Sequence, residues 1–411
     1  MSQKLEPKEE LIEGIIRPLP RLTETLQHAF GHNFINGFSA FLFAATGPGA
    51  MILAVGTAAS LPDRFIAAWL FAAYALSGVL SIGVCYLYRQ PLTIGYSMPA
   101  VVIVGPALTY FSMPELVGAY IVTGALILIL ALTGLIRRVT AILPEPIIMA
   151  MVAGVFLPYG LRMIGAFDNS ITIAGAMIAG FLATSATPGL QRRFPPLLAA
   201  LAAGTVAVVL TGSYNPSGET GPVIAEPLIF TPVFNATTLI ELVIPLTVTV
   251  VGIHNMQGFA IARNAGYKPP EKMATLLCGS GTLVYGVLGC VPTVVTAPAN
   301  AILNVSGDRD WRFVGGMWFG AFFILFGIFA PSAVQIGTAL PSAFIATLAG
   351  LAMLPVLQSA FVSGFGGKFS LGALVTFLVT VSGVSVFGIG AAFWGLVFGC
   401  IVSRIAEHEK R

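Results

Sequence analysis

Long apolar segments separated by short charged ones make up most of this sequence, and they limit what the chain can fold into. Charged residues are 9% of the 411 residues and hydrophobic residues are 56%, whereas soluble domains carry about 25% charged residues. A water-soluble fold cannot cover its exterior with so few charges. The sequence therefore predicts an all-α polytopic membrane protein and excludes soluble enzymes, nucleic-acid-binding domains and disordered chains.

The apolar segments divide into about fourteen candidate membrane spans, since a helix needs ~20 apolar residues to cross a bilayer. Span 3 at 92–110 and span 10 at 291–305 are short and contain proline, which predicts broken helices. Residues 46–49 (Thr-Gly-Pro-Gly) predict a further break in span 1, and span 12 is predicted at 333–355.

Lysine and arginine are unevenly distributed between alternate loops. If the N-terminus lies inside, the outer loops carry only Arg64 and Arg162. The inner loops carry the other basic residues of the membrane region, among them Arg137, Arg138, Arg192 and Arg193. Because cytoplasmic loops are rich in basic residues, we expect a multi-pass protein of the bacterial inner membrane with both termini in the cytoplasm.

Two pairs of segments repeat between the halves of the chain. Residues 143–161 resemble 340–358, and the segment from Pro91 resembles the one from Pro292. Both pairs have nearly the same offset, and an odd number of predicted spans separates their members, which reverses their orientation. The pattern predicts a seven-plus-seven inverted repeat, which is typical of secondary transporters with a binding site at the midplane. Chance similarity between apolar, proline-containing stretches is the alternative.

Spans 3 and 10 each begin with β-prone residues and turn helical at Pro99 or Pro298. Proline favours the first helical turn and disfavours helix just before it, so each span is predicted to be an extended stub followed by a half-helix. Two half-helix N-termini facing each other would bind an anion without lysine or arginine. The predicted substrate-binding residues here are Ser97, Met98, Pro99, Ala100, Thr296, Ala297, Pro298, Ala299 and Asn300. Proline-kinked packing helices without a ligand are the alternative.

The run FLVTVSGVSVFGIGAAFWGLVFG at 377–399 resembles the benzoate:proton symporter (BenE) family, as do residues 266–270 and 96–100. The resemblance covers 34–404. This family is related to uracil permease and to sulfate-permease-type anion transporters. The resemblance implies a core domain, a gate domain, substrate between spans 3 and 10, and an elevator-like movement, often in a homodimer.

The resemblance also implies where the domains divide. It places cytoplasmic tails at 1–33 and 405–411. The implied membrane segments are a first core segment at 34–138 (spans 1–4), a first gate segment at 139–238 (spans 5–7 and a loop), a second core segment at 239–330 (spans 8–11) and a second gate segment at 331–404 (spans 12–14).

Ionisable residues are nearly absent from the middle of the predicted spans. Glu145 and Glu241 are placed at helix ends, and His254 lies deep in span 8, where the family typically has glutamine. An ionisable group at this depth is a functional hypothesis, and histidine titrates near neutral pH. We predict that His254 carries a coupled proton; a neutral histidine bonded to the backbone is the alternative. Asn255 and Gln257 are predicted either to orient substrate or to join helices.

These features favour proton-coupled uptake of an organic monocarboxylate such as benzoate, because no carboxylate at mid-depth is predicted to bind a cation. A nucleobase-type permease on the same fold and an uncoupled anion transporter or channel are the alternatives. No enzymatic activity, cofactor, metal or nucleic acid is expected. The cysteines lie in or beside apolar runs without the spacing of metal ligands; they are Cys85, Cys278, Cys290 and Cys400. The expected partners are a small anion, a proton, the lipid bilayer and a second copy of the chain.

Overall fold

A computed structural model describes residues 13–14, 18–135, 143–187, 195–216 and 221–407, most of which are α-helical. In chain order the helices are α1 (Leu22–Gln27), α2 (His32–Ala58), α3 (Asp63–Tyr88), α4 (Met98–Ala107), α5 (Met113–Thr133), α6 (Glu145–Asn169), α7 (Ile171–Ser185), α8 (Pro196–Thr211), α9 (Ala236–Asn264), α10 (Glu271–Val287), α11 (Ala297–Leu303), α12 (Arg312–Ile328), α13 (Ala330–Thr338), α14 (Ser342–Phe365), α15 (Ser370–Ser382) and α16 (Ala391–Ala406). Two strands, β1 (Ile94–Tyr96) and β2 (Thr293–Val295), pair with each other.

Six of these helices, α2, α3, α5, α6, α9 and α14, are long and apolar enough to cross a membrane. The number becomes seven if α12 and α13, which are bent by 65° relative to each other, form one span. Shorter apolar helices are α4, α7, α8, α15 and α16. The total of about fourteen spans stays a prediction, and so does the orientation, because Arg137, Arg138, Arg192 and Arg193 lie outside the described residues.

The break predicted at 46–49 is wrong, because α2 continues through Pro48 as one helix. A proline has no N–H to donate to the carbonyl four residues earlier, which here is that of Ala44. The hydroxyl of Tyr74 in α3 donates to this carbonyl at 2.6 Å. The Tyr74 hydroxyl therefore replaces the missing N–H as hydrogen-bond donor, and α2 stays helical through Pro48.

The single span predicted at 333–355 is also wrong. Helix α13 ends at Thr338, and α14 begins at Ser342 after Pro341. A proline disfavours helical backbone in the residue before it, so the helix cannot continue through Leu340. Hydropathy does not reveal this break, because the residues on both sides of it are apolar.

Glycines allow several helices to approach each other closely. Helices α3 and α12 pack where Gly78 faces Gly320. A Cβ at Gly78 would collide with the carbonyl oxygen of Gly320, and it would lie 2.8 Å from Ile324 Cγ1. Helices in membranes commonly pack through such small residues, because backbone contact replaces side-chain contact.

We expect Gly78→Ala to destabilise the protein, because overpacking a close contact costs roughly 1–3 kcal/mol. Gly83→Ala in the same helix is the matched control, since no other group lies within 4 Å of a Cβ built there. The measurement is the thermal unfolding midpoint of each purified variant in detergent. Equal midpoints for the two variants would contradict the close α3–α12 packing.

Candidate functional site

The candidate site is built around the ribbon formed by β1 and β2. The strands are antiparallel, with Ile94 opposite Val295 and Tyr96 opposite Thr293. Each strand leads directly into a short helix, β1 into α4 and β2 into α11. The extended-to-helical change predicted at Pro99 and Pro298 is therefore present in both segments.

The ribbon continues slightly beyond the strands by backbone hydrogen bonds. The N–H of Ser97 donates to the carbonyl of Pro292 at 2.9 Å, and the N–H of Thr296 donates to that of Thr93 at 3.0 Å. Because the strands run in opposite directions, α4 and α11 begin at opposite ends of the ribbon, separated by roughly 10 Å of strand. The two helix N-termini thus lie on either side of one small structural element.

Side chains from neighbouring helices complete the hydrogen bonds of β1. Ser81 of α3 accepts from the N–H of Ile94 at 2.9 Å and donates to its carbonyl at 2.8 Å. Asn300 Oδ1 accepts from both the N–H and the hydroxyl of Thr93 at 2.8 Å. The backbone at this edge of the ribbon is therefore satisfied without water.

Strand β2 has corresponding partners. Thr282 of α10 accepts from the N–H of Thr293 at 3.1 Å. Asn255 Oδ1 of α9 accepts from the N–H of Val295 at 3.0 Å. The sequence does not single out Ser81, Thr93 and Thr282, because a lone hydroxyl residue in an apolar segment gives no signal until its partner is known.

The two asparagines use only a fraction of their hydrogen-bonding capacity. Asn255 Nδ2 and Asn300 Nδ2 are buried, and neither has a hydrogen-bond partner among the described residues. A buried donor without a partner costs about 1–3 kcal/mol. The ribbon is therefore flanked by two amide donors that a bound anion could satisfy.

The predicted substrate-binding residues differ in how far they are exposed to solvent. Those that are buried are Ser97, Pro99, Ala100, Asn255, Ala297, Ala299 and Asn300; those that are half-buried are Met98, Gln257 and Thr296, and Pro298 is exposed. The hydroxyl of Ser97 caps α4 by accepting from the N–H of Ala100 at 3.3 Å.

His254 lies at the end of a π-helical turn, Thr249–His254, within α9. π turns inside α-helices often mark functional sites. The ring is half-buried, and its Nδ1 donates to the carbonyl of Thr249 at 3.0 Å. This bond assigns the proton of the neutral ring to Nδ1 and leaves Nε2 as the atom that would accept a second proton.

Three cavities lie along α6; one of them, of about 520 Å³, is lined by Tyr159 and Arg162 together with residues of α2, α13 and α14, and the other two bear on the site. The first, of about 450 Å³, is named here the Arg162 cavity; its lining includes Val102, Tyr110, Tyr159, Arg162 and Glu241. The second, of about 410 Å³, is the Gln257 cavity; its lining includes Glu145, Gly252, Gln257 and Arg263. Residues 149–153 of α6, between the two linings, are buried. Of the predicted site residues, Gln257 alone lines either cavity.

Helices α4 and α9 connect these cavities with the ribbon. Helix α4 starts at the ribbon and lines the Arg162 cavity from Val102 to Pro106, whereas α9 lines the Gln257 cavity from Gly252 to Arg263, on both sides of Asn255 in the sequence. Both α4 and the π turn of α9 contact α6. Each of these two cavities is therefore lined by a helix that also contacts the ribbon.

The sequence and the fold resemble known transporters. The family model for the benzoate membrane transport protein (BenE) matches residues 30–405. The inner membrane protein YdcO of Escherichia coli is 30% identical, covering 91% of this chain and 96% of that protein. The benzoate membrane transport protein of Acinetobacter baylyi is 28% identical, covering 92% and 95%.

Solved structures share the fold at low sequence identity. SLC26A9 aligns with a TM-score of 0.63 and 13% identity over 94% of this chain and 66% of its own. The transmembrane domain of the cyanobacterial bicarbonate transporter BicA aligns with a TM-score of 0.58 and 15% identity over 93% and 98%. This chain thus spans less than two-thirds of SLC26A9 and nearly all of the BicA domain.

We expect Asn300→Ala to lower the unfolding free energy by about 1–3 kcal/mol, because it leaves the buried N–H of Thr93 without its acceptor. Asn304→Ala is the control: this half-buried side chain donates only to the carbonyl of Asn300, at 2.7 Å. Thermal unfolding midpoints measured without ligand test the difference. An equal loss in both variants would contradict a special role of Asn300 in holding the ribbon.

Proposed function

The chain belongs to the BenE family of benzoate membrane transport proteins, and on this premise we propose that it takes up an organic monocarboxylate such as benzoate together with a proton. Membership of the family makes it a membrane transporter. The observation that supports the finer proposal is the ribbon, which has a helix N-terminus at each end and is flanked by two unpartnered amide donors.

The proposed substrate site suits a carboxylate for electrostatic reasons. Helix N-termini present free N–H groups and partial positive charge. The carboxylate would take hydrogen bonds from Asn255 Nδ2 and Asn300 Nδ2, whose oxygen atoms already hold the strands. Met98, Gln257 and Thr296 are half-buried and would contact the rest of the ligand.

The proposed proton site is His254. With Nδ1 bonded to the carbonyl of Thr249, a proton added at Nε2 creates a positive charge on the same helix as Asn255. One anion and one proton would then cross together without net charge movement, which avoids the cost of moving a charge through the membrane.

An elevator movement of a core domain against a gate domain completes the proposal. Helix α6 packs on α14, α15 and α16, whereas α3 packs on α12 and α5 packs on α10. These contacts support a gate around α6, α14, α15 and α16 and a core around α3, α5, α10 and α12, within the proposed gate of 139–238 and 331–404 and the proposed core of 34–138 and 239–330; α13 packs on the core helices α2 and α3. The same proposal includes fourteen spans arranged as a seven-plus-seven inverted repeat. It also includes a homodimer and cytoplasmic termini.

Uncoupled anion transport is the second candidate function. It is favoured by the likeness to BicA, described as a bicarbonate transporter, and to the murine Slc26a9 anion transporter. Such a protein would use the ribbon in the same way but would not need His254 to titrate.

Uptake of labelled benzoate into proteoliposomes tests the proposal. We expect initial uptake above that of protein-free liposomes, accelerated when the pH outside is lower than inside, and only equal concentrations on both sides without the pH gradient. Excess unlabelled benzoate should block uptake, whereas excess uracil or bicarbonate should not. Benzoate uptake that does not depend on the pH gradient would favour uncoupled transport. The absence of benzoate uptake would reject benzoate as the substrate.

We expect His254→Gln to keep the fold and to lose gradient-driven accumulation, because glutamine can hydrogen-bond but cannot bind a proton near neutral pH. Uptake at equal pH on both sides should persist, so the variant should equilibrate benzoate without concentrating it. The measurement is the ratio of internal to external benzoate against the pH gradient for both proteins. Unchanged accumulation by the variant would reduce His254 to a structural or specificity residue.

A further inference from the structure

Glu241 is a buried carboxyl group that the proposed function does not use. The sequence places it at a helix end, and it does lie near the start of α9, but its exposed fraction is only 6%. Oε1 accepts from the hydroxyl of Tyr110 at 2.6 Å. Oε2 is buried and has no hydrogen-bond partner within the described residues. A carboxylate held in this way keeps one oxygen atom free to take a proton.

This carboxyl lines the Arg162 cavity. Glu241 and Arg162 are the only charged residues of the described lining, and they come from α9 and α6. The cavity, at about 450 Å³, is within the ~300–1,000 Å³ common for small-molecule sites. An ionised Glu241 would repel an organic anion in this cavity, and such repulsion is strong where the effective dielectric constant is low.

The same carboxyl contacts the beginning of α16. Gly390 is the N-cap residue of α16, and a Cβ there would lie 2.5 Å from Glu241 Oε1, so any other residue would displace the carboxyl group. A helix N-terminus stabilises a negative charge. An ionised Glu241 therefore stabilises the contact between α9 and α16, and this stabilisation is weaker when Glu241 is neutral.

The other ionisable groups around Glu241 leave its charge without a direct ionic partner. From α6, Arg162 and Tyr159 line the same cavity, and the guanidinium of Arg162 lies over the ring of Tyr159, 5.7 Å from its centre. Tyr110, after α4, donates the hydrogen bond to Oε1. From α5, Glu115 accepts from Asn235 at 2.7 Å. The first turn of α16, residues 391–394, contains no ionisable side chain.

We propose that Glu241 is a proton-binding site of the transport cycle in the Arg162 cavity. A proton from water adds to Oε2 and converts the carboxylate into a neutral carboxylic acid. The cavity then retains only the positive charge of Arg162 and admits the organic anion, while the contact between α9 and α16 loosens. This inference rests on the proposed function, proton-coupled anion uptake, and adds the order in which proton and anion bind.

Infrared difference spectroscopy of the reconstituted protein, recorded without substrate between pH 8 and pH 5, tests the proton site directly. We expect a band from a protonated carboxyl group to appear as the pH falls and to be missing in Glu241→Gln. Glu226→Gln is the matched control, because it removes an exposed carboxyl from a loop and should leave the band unchanged. His254→Gln should also keep the band, since an imidazole has no carboxyl signal.

Benzoate binding to the same proteins tests the coupling. Wild-type affinity should fall by up to tenfold per pH unit above the midpoint of the band, as expected for the proton on Glu241, whereas Glu241→Gln should lose this fall and keep only the pH dependence that His254 supplies. Tyr110→Phe keeps the carboxyl group but removes its donor, so the midpoint should move to higher pH.

The outcomes distinguish an error in the proposed proton site from an error in the proposed substrate. If wild-type protein does not bind benzoate, the proposed substrate is wrong, while the infrared band still decides whether Glu241 binds a proton. If Glu241→Gln folds, as judged by its unfolding midpoint, and keeps both the band and the wild-type pH dependence, the role of Glu241 is overturned. A midpoint unmoved in Tyr110→Phe would contradict the assignment of the band to Glu241.

Discussion

The short ribbon of β1 and β2 needs hydrogen-bond partners at a depth where neither water nor a continuous helix supplies them. An unsatisfied backbone group in a membrane costs several kcal/mol, so extended backbone persists there only if protein groups surround it. Pairing of the strands satisfies some of the requirement. Ser81, Thr282, Asn255 and Asn300 satisfy much of the rest from four different helices. The arrangement of α3, α9, α10 and α11 around the ribbon therefore follows from its backbone.

This requirement also determines which polar groups are left for a ligand. The oxygen atoms of Asn255 and Asn300 hold strands, so these side chains can offer only their Nδ2 groups. Close packing restricts the space as well: a Cβ at Gly258 would lie 2.5 Å from Val295 Cγ1. The proposed site has amide donors, helix N-termini and no lysine or arginine among the described ribbon residues, which would favour an anion and still allow its release.

Helix α9 connects the ribbon to both candidate proton sites. Glu241 and His254 are on this helix, separated by roughly 20 Å along its axis, and Asn255 follows His254 directly. The first lies beside the Arg162 cavity and the second near the Gln257 cavity. A helix that contacts the ribbon, α6 and α16 is suited to couple a change of charge in a cavity to the packing between helices.

The sequence alone determined the membrane class and the extended-to-helical change at Pro99 and Pro298, because these depend on composition and on local backbone preference, and it indicated the family through the resemblance of particular segments such as 377–399. It could not determine whether Pro48 breaks α2, since that depends on a hydroxyl of Tyr74 from another helix. Nor could it choose between substrate contact and helix joining for Asn255, or see that Glu241 is buried. Those properties depend on contacts between residues far apart in the chain, such as Tyr110 with Glu241 and Thr93 with Asn300, and only the tertiary structure decides which distant groups meet.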